Sequence, residues 1–246
     1  MKKGFIVLLA VVLLTIVSIT SHYISSFLSD IQSRQQIVNV GEVKVIARAF
    51  HENSSNVLTE LDYVDIGNGQ KKLGIYEINL VDRNQPNFIE NVRIFVDVYS
   101  KQESYFRIKI HEQLTFTRIS IDTTKPHLPE IKTEISLLME KPTDFNYIFN
   151  SNNTLDSERL NWYDNREIDG YIYYKLPIER IDSSTPARVG LIKSYYPSVS
   201  YISQPRGYSL QLAITVEAVQ IHGGPVQNWG IENPPWGGNW KWKKYC

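Results

Sequence analysis

Over most of its length the chain alternates apolar and polar residues with a period of two, which is what half-buried β-strands require. The clearest run is 208–220, where Leu210, Leu212, Ile214, Val216 and Ala218 share one face while Gln211, Thr215 and Glu217 share the other. A run of that length belongs in the middle of a sheet, with a bend or bulge expected along it. Residues 92–99 set Val92, Ile94, Val96 and Val98 against Arg93 and Asp97, and Phe106, Ile108 and Ile110 stand against Arg107, Lys109 and His111. Runs rich in aromatic and β-branched residues at 42–50, 73–81, 132–138 and 170–176 predict further strands. Turn-forming groups at Asn68-Gly69, 84–87 and 125–129 separate them. Residues 140–169 read as an excursion between strands, with a short helix over 156–163. Helical periodicity is otherwise missing beyond the N-terminal stretch, so the expected fold is all-β, an antiparallel β-sandwich.

The N-terminus follows another pattern. Lys2 and Lys3 precede a stretch without charge from Gly4 to Ser29, apolar almost without a break from Phe5 to Val17. Basic residues, an apolar run and then Ser18, Thr20 and Ser21 have the layout of an export signal. The uncharged stretch also suffices to cross a bilayer core of about 30 Å, with the lysines inside and the C-terminus outside. A cleaved signal and a retained membrane anchor both put the body of the chain outside the cytoplasm, secreted or at the cell surface. The expected organisation is a signal or anchor helix over 1–26, a sandwich over 27–222 and a tail over 223–246.

Composition removes several function classes. With 26 basic and 26 acidic residues, the chain has no electrostatic grip on nucleic acid. Its one cysteine, Cys246, permits no intrachain disulfide; it is either a crosslink between chains or an unpaired thiol. His22, His51, His111, His127 and His222 show no metal-ligand spacing. His111-Glu112 opens like the zinc-protease motif, but Thr115 stands where the second histidine is needed, and the segment reads as a strand. Neither a nucleophile elbow nor a phosphate loop is present. Asp62, Asp65, Asp164 and Asp169 fall near loops and read as solvated rather than calcium-binding. No catalytic, cofactor or metal residue is therefore expected. The tail holds Trp229, Trp236, Trp240 and Trp242 in a Gly/Pro-rich frame. Such rings either stack on a glycan, a membrane interface or another surface protein, or fold back over an open end of the sandwich.

Several short motifs occur in one order. They are Phe27-Leu28-Ser29-Asp30, Asn39, Gly41-Glu42-Val43, Tyr105-Phe106-Arg107-Ile108-Lys109, Gly170-Tyr171-Ile172-Tyr173-Tyr174-Lys175, and 214–220 followed by Trp229. In this the chain resembles the TasA/camelysin-type exported fibre proteins. The resemblance implies a jelly-roll-like sandwich whose mature N-terminal segment leaves its own subunit and pairs as a strand in the next. Main-chain hydrogen bonds then supply affinity, and Ile31, Ile37, Val43 and Val45 are the candidate residues filling the acceptor groove. The alternative is that the same segment is an edge strand of its own sandwich. Head-to-tail exchange propagates as a homopolymer.

The leading expectation is a non-enzymatic subunit of a cell-surface or biofilm fibre. A membrane-tethered binding module using the Trp-rich tail is the alternative. A surface metalloprotease, an activity attached to some camelysin-type relatives, comes last because its residues are not visible.

Overall fold

The computed structural model describes residues 43–53, 55–67, 70–120, 124, 131–137, 145–150, 157–195 and 207–241. The expected signal or anchor over 1–26, the donor residues Ile31 and Ile37, and the tail residues Trp242 and Cys246 lie outside them. So do the turn groups at 68–69 and 125–129.

Among the described residues twelve strands follow one another: β1 (Val45–Glu52), β2 (Leu58–Glu60), β3 (Tyr63–Gly67), β4 (Gln70–Asn79), β5 (Val92–Val98), β6 (Ser104–Ser120), β7 (Ile131–Leu137), β8 (Phe145–Tyr147), β9 (Trp162–Asn165), β10 (Tyr171–Tyr174), β11 (Ala187–Tyr195) and β12 (Tyr208–Gln220). A one-turn helix, α1 (Gly224–Trp229), comes after the last of them. One sheet runs β2-β1-β5-β11-β8; the other runs β3-β4-β12-β6-β10-β9, with β7 also on β6. Neighbouring strands pair antiparallel throughout. The protein is thus an all-β sandwich.

The alternating pattern accounts for the core between the sheets. Val92, Ile94, Val96 and Val98 of the first sheet are buried against Phe106, Ile108, Leu210, Leu212 and Ile214 of the second. Phe106 stacks on Tyr174 with ring centroids 5.2 Å apart, and Trp162 meets both edge-on. Transfer of such rings from water supplies the largest stabilising contributions per residue.

Strand β12 lies between β4 and β6, in the middle of its sheet, as its length predicts. It pairs with β6 without a shift from Tyr208↔Phe116 to Gln220↔Ser104, so no bulge interrupts that ladder. The irregularities fall instead in β11 and between β3 and β4.

Two elements differ from the sequence expectation. Residues 156–163 do not form one helix: a 3-10 turn over Ser157–Asn161 gives way to β9. The reason is Trp162, whose ring enters the core while its Nε1 donates to the Gly190 carbonyl at 3.0 Å. Strand β11 has no clean alternation because the bulge after Gly190 lets Val189, Leu191 and Ile192 all be buried.

Candidate functional site

The first candidate is the start of β1, where the segment expected to donate a strand enters the sandwich. Val43 is buried and Val45 half-buried. On one side β1 pairs with β5 from Val45↔Val98 to His51↔Val92. On the other, β2 covers only Phe50, His51 and Glu52, and the Leu61 amide adds one bond to the Ala49 carbonyl. Among the described residues no strand lies beside Val45 and Ala47 on that side. A strand edge left without a neighbour is a template for another chain. Next to this edge, the outer face of the first sheet is closed by charge. Asp97, 1% exposed, takes two hydrogen bonds from Arg188 at 2.6 and 2.8 Å and lies 3.5 Å from Arg48 Nε.

The tryptophan-rich tail is the second candidate. From Ile221 to Lys241 it lies over the outer face of the second sheet, at the end where β6 begins. Tyr105, Val219, Ile221 and Trp240 form a small core of their own, with Trp229, Ile231 and Trp236 half-buried around it. Trp240 meets Tyr105 edge-on at 4.9 Å and donates its Nε1 hydrogen to the Ile231 carbonyl. The Tyr105 hydroxyl accepts from the Lys241 amide at 2.8 Å and donates to the Lys241 carbonyl at 3.2 Å, fastening the strap to the sheet. Residues 240–241 are thus held by a buried ring and by main-chain bonds.

Beneath the strap, Arg107 sits between two rings, 3.9 Å from the centre of Tyr171 and 4.9 Å from that of Trp229. Its Nε and Nη2 donate to Glu217 Oε2 at 2.8 and 2.7 Å, and its Nη1 donates to the Tyr173 hydroxyl. Tyr171 donates to the other Glu217 oxygen, and Tyr173 donates to Asp169. Burial opposes the Arg107 charge, but Tyr173 and Glu217 more than offset it and hold the guanidinium above its ordinary pKa. Burial, then the Glu217 carboxylate, pushes Tyr171 up to about 12; burial, then Asp169, raises Tyr173 as well. These groups neutralise and orient one another, a packed polar network with cation–π support. None of them is arranged as a nucleophile beside a base.

The remaining sequence candidates are dispersed. Lys71 reaches Asp62 at 2.8 Å, Arg166 binds Asp164 through two bonds, and Asp169 holds Tyr173. His111 is half-buried on the outer face of β6. Among the described residues no group of three or more His, Cys, Asp or Glu side chains is placed to hold a metal ion.

A third feature was not visible in the sequence. At the far end of the same outer face lies a cavity of about 940 Å³, walled by Asp65, Glu77, Asp82 and Glu134 and floored by Tyr208 and Ser209. Here Lys72 of β4 reaches across to Gln211 of β12 at 3.3 Å and to Glu134 of β7 at 3.1 Å. Gln211 in turn donates to Glu134, and Thr115 and Ser209 share a buried hydroxyl pair at 2.9 Å. Asp65, Glu77 and Asp82 come from β3, β4 and the loop after it, whereas Glu134 comes from β7 and Ser209 from β12, so no local motif announces the cavity.

No family model matches the chain, and neither a curated protein nor a solved structure matches it. The functional reading rests on the residues and their geometry.

Proposed function

We propose that the chain is a structural, non-enzymatic subunit of an extracellular or cell-surface fibre, with a jelly-roll-like sandwich that assembles head to tail by strand donation. The observation that carries this reading is the edge of β1, which β2 covers only from Phe50 to Glu52. The segment running from Phe27 into β1 supplies the donor, with Ile31 and Ile37 as its anchoring side chains. It lays these into the neighbour's groove beside Val45 and Ala47, and its main chain completes the ladder there. Because donor and acceptor are different surfaces of one subunit, the contact repeats without closing.

The reading is tested on protein recovered from the native cell surface, beside an Ile31→Asp, Ile37→Asp variant made in the same host. The parent should sediment as filaments, and the variant should stay monomeric with its thermal midpoint within a few degrees of the parent. A parent that remains monomeric after long incubation at high concentration overturns the proposal.

A further inference from the structure

The outer face of the second sheet has two unlike ends. At the start of β6 it carries the strap, and the chain leaves that strap at Lys241 into Trp242-Lys243-Lys244-Tyr245. At the other end it carries the cavity walled by Asp65, Glu77, Asp82 and Glu134. Among its described lining residues none is basic; Lys72 and Gln211 hold Glu134, the Asn84 amide donates to Asp82, and Glu77 is exposed. The cavity is of the size that holds a few side chains. Three lysines within 241–244 match a cavity lined by carboxylates in charge.

Geometry decides between the same chain and another. Lys241 is fastened at Tyr105, whereas the floor residue Ser209 pairs with Thr115 on the same strand. Ten residues of strand at about 3.3 Å each put those points about 33 Å apart along β6. From Lys241 the ammonium of Lys244 reaches at most about 16 Å, three residues of extended chain plus its own side chain. The path would have to be halved for the segment to fill the cavity of its own subunit. Between two subunits aligned head to tail, the strap end of one meets the cavity end of the next.

We infer that the acidic cavity at the far end of β6 and β12 receives the Lys243-Lys244-Tyr245 stretch of a second copy of this chain. The contact deepens the head-to-tail reading and rests on it for the neighbour, but it uses neither the donor segment nor the β1 edge. Attraction across it is electrostatic, so it weakens as salt screens the lysines.

The experiment is a disulfide mapping on full-length chains. One population carries Asn84→Cys and Cys246→Ser; the other keeps Cys246. Position 84 lines the cavity, and 246 lies two residues past Lys244. Mixed under mild oxidation, the two should give a peptide joining position 84 of one chain to Cys246 of the other. Lys243→Glu with Lys244→Glu should lower its yield at least tenfold. Adding Glu77→Lys with Asp82→Lys to the cavity partner should restore it, which separates charge recognition from loss of fold. Absence of the 84-to-246 link while Cys246 pairs with itself overturns the inference. So does a yield that charge reversal leaves unchanged. Repeating the mixture with residues 31–41 deleted separates the two contacts. Linked dimers without filaments leave the tail contact standing, whereas filaments of the parent that never show the link leave only strand donation.

Discussion

Asp97 shows how far single side chains hold this fold together. It is buried on the outer face of the first sheet, where Arg188 and Arg48 surround it. Asp97→Ala would leave two arginines facing each other, but these keep some exposure and can rehydrate. The expected loss in urea unfolding is therefore about 2 kcal/mol, below the usual penalty for breaking a fully buried pair. Trp240→Ala should cost about 3 kcal/mol, and amide exchange should accelerate over 221–241 while the sheets stay protected. The phenols respond to pH with a definite sign. Burial raises the folded pKa of Tyr76, Tyr105, Tyr171, Tyr173 and Tyr174, and that of Tyr171 reaches about 12. An unfolded phenol titrates near 10, so the contribution of Tyr171 is complete below about pH 10 and is lost as pH rises toward about 12. Thermal midpoints should be level from pH 8 to 9.5 and fall steeply above 10.5. Level midpoints up to pH 11.5 would contradict the burial of these rings.

Among the elements, β11 is the most constrained. Its edge at Gly190 is closed by side chains instead of a strand: Glu158 accepts from the amide, and Trp162 donates to the carbonyl. A Cβ at Gly190 would lie 2.5 Å from Ile148 Cδ1, whose side chain is packed in the core. Gly190→Ala should therefore cost about 1–3 kcal/mol, as overpacking does, measured by chemical unfolding. The same strand marks where reading the sequence fails. β5, β6 and β12 were legible because one face of each carries apolar side chains into the core between the sheets while the other carries mostly polar ones, which gives alternation in the sequence even where the outer face is covered. β11 was not, since its bulge buries residues of both parities, and β9 was not, because four residues are too few to show a period. The tail's aromatic clustering was visible, but its place over Tyr105 and Tyr173 depends on contacts between residues far apart in sequence, more than a hundred for Trp240. The cavity escaped notice because its lining is drawn from β3, β4, β7 and β12, which only the folded sheet brings together.

At the scale of the molecule, the proposed assembly draws on three surfaces: a partly covered edge at β1, the strap that leads into Lys243 and Lys244, and the cavity lined by carboxylates at the opposite end of the same sheet. Edge pairing supplies strength through the main chain, and charge supplies orientation. The most direct test of strand donation is cryo-electron microscopy of filaments from the native surface, at a resolution that traces the main chain. The account predicts an added strand beside Val45 and Ala47 whose chain continues into β1 of the adjacent subunit. A strand there that continues into β1 of its own subunit, or material that yields only monomers, would contradict it.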